Sequence, residues 1–212
     1  MQDFSFRLQN HLKNHAIIYL FMCIILVTGI IFGAIIVNSM NFIQKQDLFF
    51  YLERFFNHTL TEQGVDRFVV WKDSFLYHLK YLAIVFLLGL SVIGMPIVWV
   101  LLFIKGLVVG FSVGFLVNQL GMDGLMFASF TIAPHNLLII PIYLVAGTLA
   151  MIFAIFNIRK VFSKRNIGSL VQPFFNYVVV FSILIVLSIG ASFIEAYISS
   201  GVLEVLIKSF YL

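Results

Sequence analysis

Apolar residues fill several long runs of this chain, and the polar residues gather at the joints between them. Residues 16–37, 77–93, 97–120, 134–157 and 171–197 each read as a predicted helix that crosses a membrane or nearly does. A helix rises ~1.5 Å per residue, so about 20 apolar residues span the ~30 Å of bilayer hydrocarbon. Barrel strands would alternate apolar and polar at every second position, and no such alternation is present. The expected fold is therefore all-α: one polytopic integral membrane domain with about five spans.

The joints carry their own patterns. In the loop at residues 38–76, Leu48, Leu52, Phe55 and Phe56 fall on one helical face and Lys45, Glu53, Arg54 and Asn57 on the other. Such a stripe predicts an amphipathic helix, either lying in the headgroup region or serving as a platform for a partner, and the two uses are compatible. The pattern breaks at Gln63-Gly64 and restarts with Phe68 to Trp71. His78 and Lys80 then stand at the expected start of the second span, where side chains snorkel to the headgroups.

Gly94-Met95-Pro96 predicts the end of that span, because proline removes a backbone donor and biases its predecessor out of the helical region. Lys105 follows eight residues into the next helix. Either residues 97–104 lie along the interface with Lys105 at headgroup level, which Pro96 and Trp99 favour, or Lys105 is buried and functional. Gly121-Met122-Asp123-Gly124 reads as a turn. Residues 125–133 are too short to span and predict a re-entrant or interfacial piece, which is tolerated where it is buried in protein or lines water. Val202, Leu203, Leu206 and Phe210, set against Glu204 and Lys208, predict a short surface helix in the tail.

Two ridges of small residues stand out within the spans: Gly29 and Gly33 with Ala34, and Gly106, Gly110 and Gly114. Small residues four apart let helices approach closely in lipid, so both ridges predict helix packing.

Composition agrees with the pattern. Of 212 residues, 62% are hydrophobic and 10% charged, against roughly a quarter charged in water-soluble domains. The net charge of +4 is scattered except for one cluster beside a span, which suits topology better than nucleic-acid binding. That cluster, Arg159, Lys160, Lys164 and Arg165 without an acid between them, predicts a cytoplasmic loop at residues 158–170 by the positive-inside rule. Counting spans then places the N-terminus in the cytoplasm, and the loop at 38–76 and the C-terminus outside. The first run lacks a small-x-small cleavage site and is expected to remain as a span. Cys23 is the sole cysteine, so no disulfide forms within one chain.

Candidate chemistry is sparse. There is no HExxH, GxSxG, paired-aspartate motif or phosphate-cradling loop, and neither catalysis, a metal nor a cofactor is expected. His11 and His15 have a chelating spacing but no third ligand nearby, and a solvated helix start is the preferred reading. The polar residues expected at membrane depth are Lys105, His135, Asn136, Asn176 and Glu195. Ionisable groups there are costly unless paired, so His135 and Glu195 are expected to approach one another, or each to bond backbone freed near Pro134.

The run Ile30-Ile31-Phe32-Gly33-Ala34-Ile35-Ile36-Val37-Asn38, the stretch from Gly89 to Pro96 followed by Lys105-Gly106 and Gly110, Pro134-His135-Asn136, and Ile194-Glu195-Ala196-Tyr197-Ile198 together resemble the stage II sporulation protein M family. The likeness covers nearly the whole chain in order. Many members of the wider family carry Pro-His-Gly with a glutamate three residues later and then a proline. Here Asn136 and Ile139 stand in place of the glycine and the glutamate, and Pro141 remains. The resemblance carries functional importance over to His135 and Glu195.

It also implies a membrane anchor and scaffold of the engulfment machinery in endospore-forming bacteria, located at the septal membrane. Its implied partners are stage II sporulation proteins D and P, two cell-wall hydrolases. A non-enzymatic scaffold, self-associating through its glycine ridges as a homo-oligomer such as a dimer and in contact with membrane lipid, is the first functional expectation. A permease-like or channel subunit is the second, because broken helices at membrane depth are a feature of transport folds. A permease needs a water-accessible cavity lined by His135, Asn136 and Glu195, whereas a scaffold needs those groups bonded in a dry core.

Overall fold

The computed structural model describes residues 13–61, 66–162 and 171–211, which are helical apart from short joints and include no strand. The helices are α1 (Ala16–Ser39), α2 (Phe42–Thr61), α3 (Arg67–Leu90), α4 (Gly94–Thr131), α5 (Ala133–Phe162), α6 (Val171–Ile194) and α7 (Ser200–Tyr211), with a π-helical turn at Glu195–Ser199 between the last two. Five stretches are long and apolar enough to cross a membrane: Ala16–Ser39, Arg67–Leu90, Gly94–Thr131, Ala133–Lys160 and Val171–Leu203. The chain is a polytopic helical membrane protein, as its hydropathy pattern predicts.

Several boundaries differ from expectation, each for a local reason. The second span begins at Arg67 rather than at 77, because the Asp66 carboxylate accepts from the Phe68 N–H at 3.0 Å and caps the helix there. The loop at 38–76 is correspondingly shorter and holds α2, whose start is a capping box. Asn41 accepts from the Gln44 N–H at 3.0 Å, and the Asn41 N–H donates to the Gln44 side chain at 3.1 Å. The joint expected at Gly94-Met95-Pro96 lies instead at residues 91–93. Pro96 falls within the first turn of α4, where its missing N–H is harmless.

Gly121 turns the chain sharply. Its φ of 62° and ψ of −131° interrupt α4, and a Cβ added to Gly124 would strike the carbonyl of Leu116. Eight residues of straight helix span ~12 Å, so the chain has reversed between these two positions. Residues 122–131 fold back along the outgoing helix and lead into α5, with only the Ile132 joint between.

The glycine ridges meet each other. A Cβ at Gly29 or Gly33 would collide with the carbonyls of Phe103 or Leu107, and one at Gly106 or Gly110 with those of Leu26 or Ile30. Gly114 lies against Ala34. The paired numbers rise together, so α1 and α4 run parallel in backbone contact, and the ridges are occupied within a single chain. Gly110, Gly114 and Ala34 also border an open groove with Val109, Val113 and Val117.

Two cores result. The larger draws Met22, Leu82, Leu102, Tyr143, Ala146 and Phe181 from α1, α3, α4, α5 and α6. At one end of the bundle, the Tyr177 ring stacks on Phe153 with centroids 4.6 Å apart and donates its hydroxyl to the Phe86 carbonyl at 3.0 Å. Asn157 there donates to the Leu90 carbonyl at 3.3 Å, capping α3, and Arg159 and Lys160 follow in the last turn of α5. Lys164 and Arg165 lie outside the described residues, as does His11. The smaller core sits at the opposite end, where Leu116, Phe127 and Ala128 of the hairpin are packed by Leu52 of α2 and Leu203 and Leu206 of α7.

Candidate functional site

Because α3 starts at Arg67, Ser74 and His78 share one of its faces four residues apart, and Tyr77 and Tyr81 share another. These pairs meet polar groups from three other elements in the interior of the bundle. His78, expected to snorkel at a span end, is buried at 4% exposure. Ten further residues of helix precede Tyr77, which carries this position into the bundle.

His78 joins two elements. Its Nδ1 lies 2.6 Å from the Tyr143 hydroxyl of α5, and its Nε2 lies 3.6 Å from Glu195 Oε2 in the π turn. The Nε2–Glu195 separation is an ion-pair distance beyond hydrogen-bond length, and His78 Nε2 has no hydrogen-bond partner among the described residues, whereas Nδ1 and the Tyr143 hydroxyl share a hydrogen bond. The Ser74 hydroxyl donates to the same Glu195 oxygen at 2.5 Å. Two residues of α3 therefore clamp the carboxylate, whose side chain stays 33% exposed.

The π turn is what presents it. A π turn holds an extra residue per turn and is frequent at functional positions, and the Ser200 hydroxyl donates to the Glu195 carbonyl at 3.0 Å. The Ser199 hydroxyl, in the same turn, is buried with no partner among the described residues.

Lys105 occupies the neighbouring position. It lies eleven residues beyond Gly94 and sixteen before Gly121 in one uninterrupted helix, so it does not stand at headgroup level as the interfacial reading of residues 97–104 required. Its ammonium is 4.3 Å from the ring centroid of Tyr77, 4.9 Å from Tyr143 and 5.6 Å from Tyr81. Three negative ring faces replace part of the water a lysine loses at that depth, each contact contributing ~0.5–2 kcal/mol according to its desolvation.

The remaining expected residues divide. His135 Nε2 accepts from the Asn136 amide at 3.1 Å, and that amide also donates to the Ile132 carbonyl at 2.9 Å, just before Pro134. His135 Nδ1 is buried without a partner among the described residues. His135 lies within electrostatic reach of Glu195, His78 and Lys105, but Glu195 takes its direct contacts from α3 and not from His135. Asn176 does not join the group: it is exposed near the start of α6 and accepts from Gln172 at 3.3 Å. A groove of about 560 Å³ runs beside Asn136, lined mainly by Val109, Val113, Ile132, Leu137 and Pro141.

Ser74, Tyr77, His78, Tyr81 and Tyr143 were not singled out from the sequence for this site. The spacing of Ser74 with His78 and of Tyr77 with Tyr81 is their only sequence signal, and it becomes legible once the helix start at Asp66 is recognised. No group of three or more metal-ligating side chains occurs among the described residues.

The face of α2 singled out for partners turns toward the bundle at Leu52. Leu52 packs in the smaller core and Leu48 is half-buried, while the side chains of Phe55 and Phe56 lie outside the described residues. The opposite face carries Asp47, Phe50, Tyr51, Arg54 and Asn57 around a shallow groove, with Phe50 60% and Tyr51 69% exposed.

Residues 22–200 match the family model SpoIIM, Stage II sporulation protein M. No curated protein and no solved structure matches the chain.

Proposed function

The chain belongs to the stage II sporulation protein M family and is a sporulation-related membrane protein, and on that premise we propose that it is a non-enzymatic scaffold. It holds the cell-wall hydrolases known as stage II sporulation proteins D and P at the septal and engulfing membrane. The observation that carries this reading is the platform at one end of the bundle, where α2, the Gly121 hairpin and α7 share the core of Leu52, Leu116, Phe127, Leu203 and Leu206. That core fixes α2 with Phe50 and Tyr51 turned outward. Arg159 and Lys160 stand at the other end, so the positive-inside rule favours a cytoplasmic basic end and an outward-facing platform.

The interior polar groups favour a scaffold over a conducting path. Ser74 bonds Glu195 and Tyr143 bonds His78, whose Nε2 lies 3.6 Å from Glu195, and tyrosine rings surround the Lys105 ammonium. Of the three residues that a permeation cavity was expected to expose, Asn136 borders the groove beside it, while His135 and Glu195 are not among its lining residues. Flotation tests the proposal. Soluble forms of D and P should rise with vesicles that contain this protein and stay down with empty vesicles; equal distribution in both would remove the scaffold reading.

A further inference from the structure

The interior network and the platform are joined by very little chain. Glu195 opens the π turn, which runs without interruption into α7, and Leu203 and Leu206 of α7 pack on Leu116 and Phe127. Seven residues separate the clamped carboxylate from the first of those leucines, with no loop to absorb a displacement.

Glu195 is also held from one side. Ser74 and His78 both belong to α3 and both address the same carboxylate oxygen, and His78 is anchored in turn by Tyr143 of α5. Lys105 of α4, His135 of α5 and the tyrosines Tyr77 and Tyr81 of α3 also surround this pair, and the Arg67 guanidinium lies beside Gly201 at the start of α7. None of these contacts is needed to keep a hydrophobic helix in a bilayer, where its own backbone bonds suffice. What the clamp does fix is the rotation and height of the segment leaving the bundle at residue 195.

We propose that the Ser74–His78–Glu195 clamp is the positioning element for α7, so that clamp formation inside the bundle and the seating of α7 on the platform form a single equilibrium. Coupling of this kind is reciprocal: a partner that pins α7 also favours the closed clamp. The inference deepens the scaffold reading by naming what sets the platform's geometry. Its test needs no hydrolase, so the two can fail separately.

Cys23 is the sole cysteine, and a Cys23→Ser background allows single reporters. Leu206→Cys reports seating, Val205→Cys reports an exposed site on the same helix, and Leu82→Cys reports the larger core. With maleimide in detergent, Glu195→Leu and the milder Ser74→Ala should each speed labelling at 206. For Glu195→Leu the rise should be about tenfold or more, as expected when the charge-assisted hydrogen bond from Ser74 is lost. Labelling at 205 should be unchanged, and position 82 should stay protected. If position 206 labels at the parental rate in both variants, or labels faster only together with position 82, α7 is not positioned by the clamp and the proposal is overturned.

Discussion

Gly110 lies against Ile30 so closely that a Cβ there would collide with the carbonyl oxygen of that residue. The contact lies within one chain, which makes this part of the ridge a determinant of folding. Gly110→Ala should lower unfolding free energy by about 1–3 kcal/mol, the usual cost of overpacking a tight contact, and Gly110→Leu by more. Thermal unfolding in detergent should show the loss in the monomeric species. A variant that melts like the parent but changes only its oligomeric state would contradict the intrachain assignment.

Gly121 and Gly190 form a natural comparison, since a Cβ at either meets nothing within 4 Å. Only Gly121 has positive φ, 62°. Gly121→Ala should therefore cost about 1–3 kcal/mol from backbone strain alone. Gly190→Ala, inside α6, should be neutral or stabilising by up to about 1 kcal/mol, the helix preference of alanine over glycine. Denaturant titration of the pair checks this, and equal effects would mean that the reversal at Gly121 is not where the chain turns.

Tyr143→Phe keeps the ring over Lys105 and deletes the hydroxyl that His78 Nδ1 faces. The buried ring nitrogen left without a partner should cost about 1–3 kcal/mol. Combined with Glu195→Gln in a double-mutant cycle, the change should show coupling of about 0.5–3 kcal/mol, because both groups act through one imidazole. Additive effects would mean that His78 does not connect them.

The two faces of α2 should respond differently. Leu52→Ala removes a side chain from the smaller core and should cost about 1–2 kcal/mol, part of the penalty of a fully buried leucine. Phe50→Ala and Tyr51→Ala lie on the outward face and should stay within about 0.5 kcal/mol of the parent. Unfolding midpoints measured side by side decide whether the inward and outward assignments hold.

Much of this was legible in the chain. Five spans follow from hydropathy, and the packing role of Gly29, Gly33, Gly106, Gly110 and Gly114 follows from their spacing. His135 and Glu195 were visible as polar residues in apolar runs. The partners of Glu195 were not, because residues 66–73 carry enough charge to look like loop and hid the first turns of α3. That shifted His78 from the interior to an expected interface. What covers the stripe of α2 was not legible, because an amphipathic helix has the same signature whether a bilayer, a partner or the protein itself lies against it; at Leu52 it is α7 and the hairpin.

Co-purification from detergent of proteins D and P with this chain addresses the scaffold proposal most directly, comparing the parent with the Phe50→Ala, Tyr51→Ala double variant. The expected result is retention of at least one hydrolase by the parent and its loss in a variant that still melts normally. Failure of the parent to retain either hydrolase would contradict the scaffold, and ion flux in proteoliposomes would then become the measurement to make.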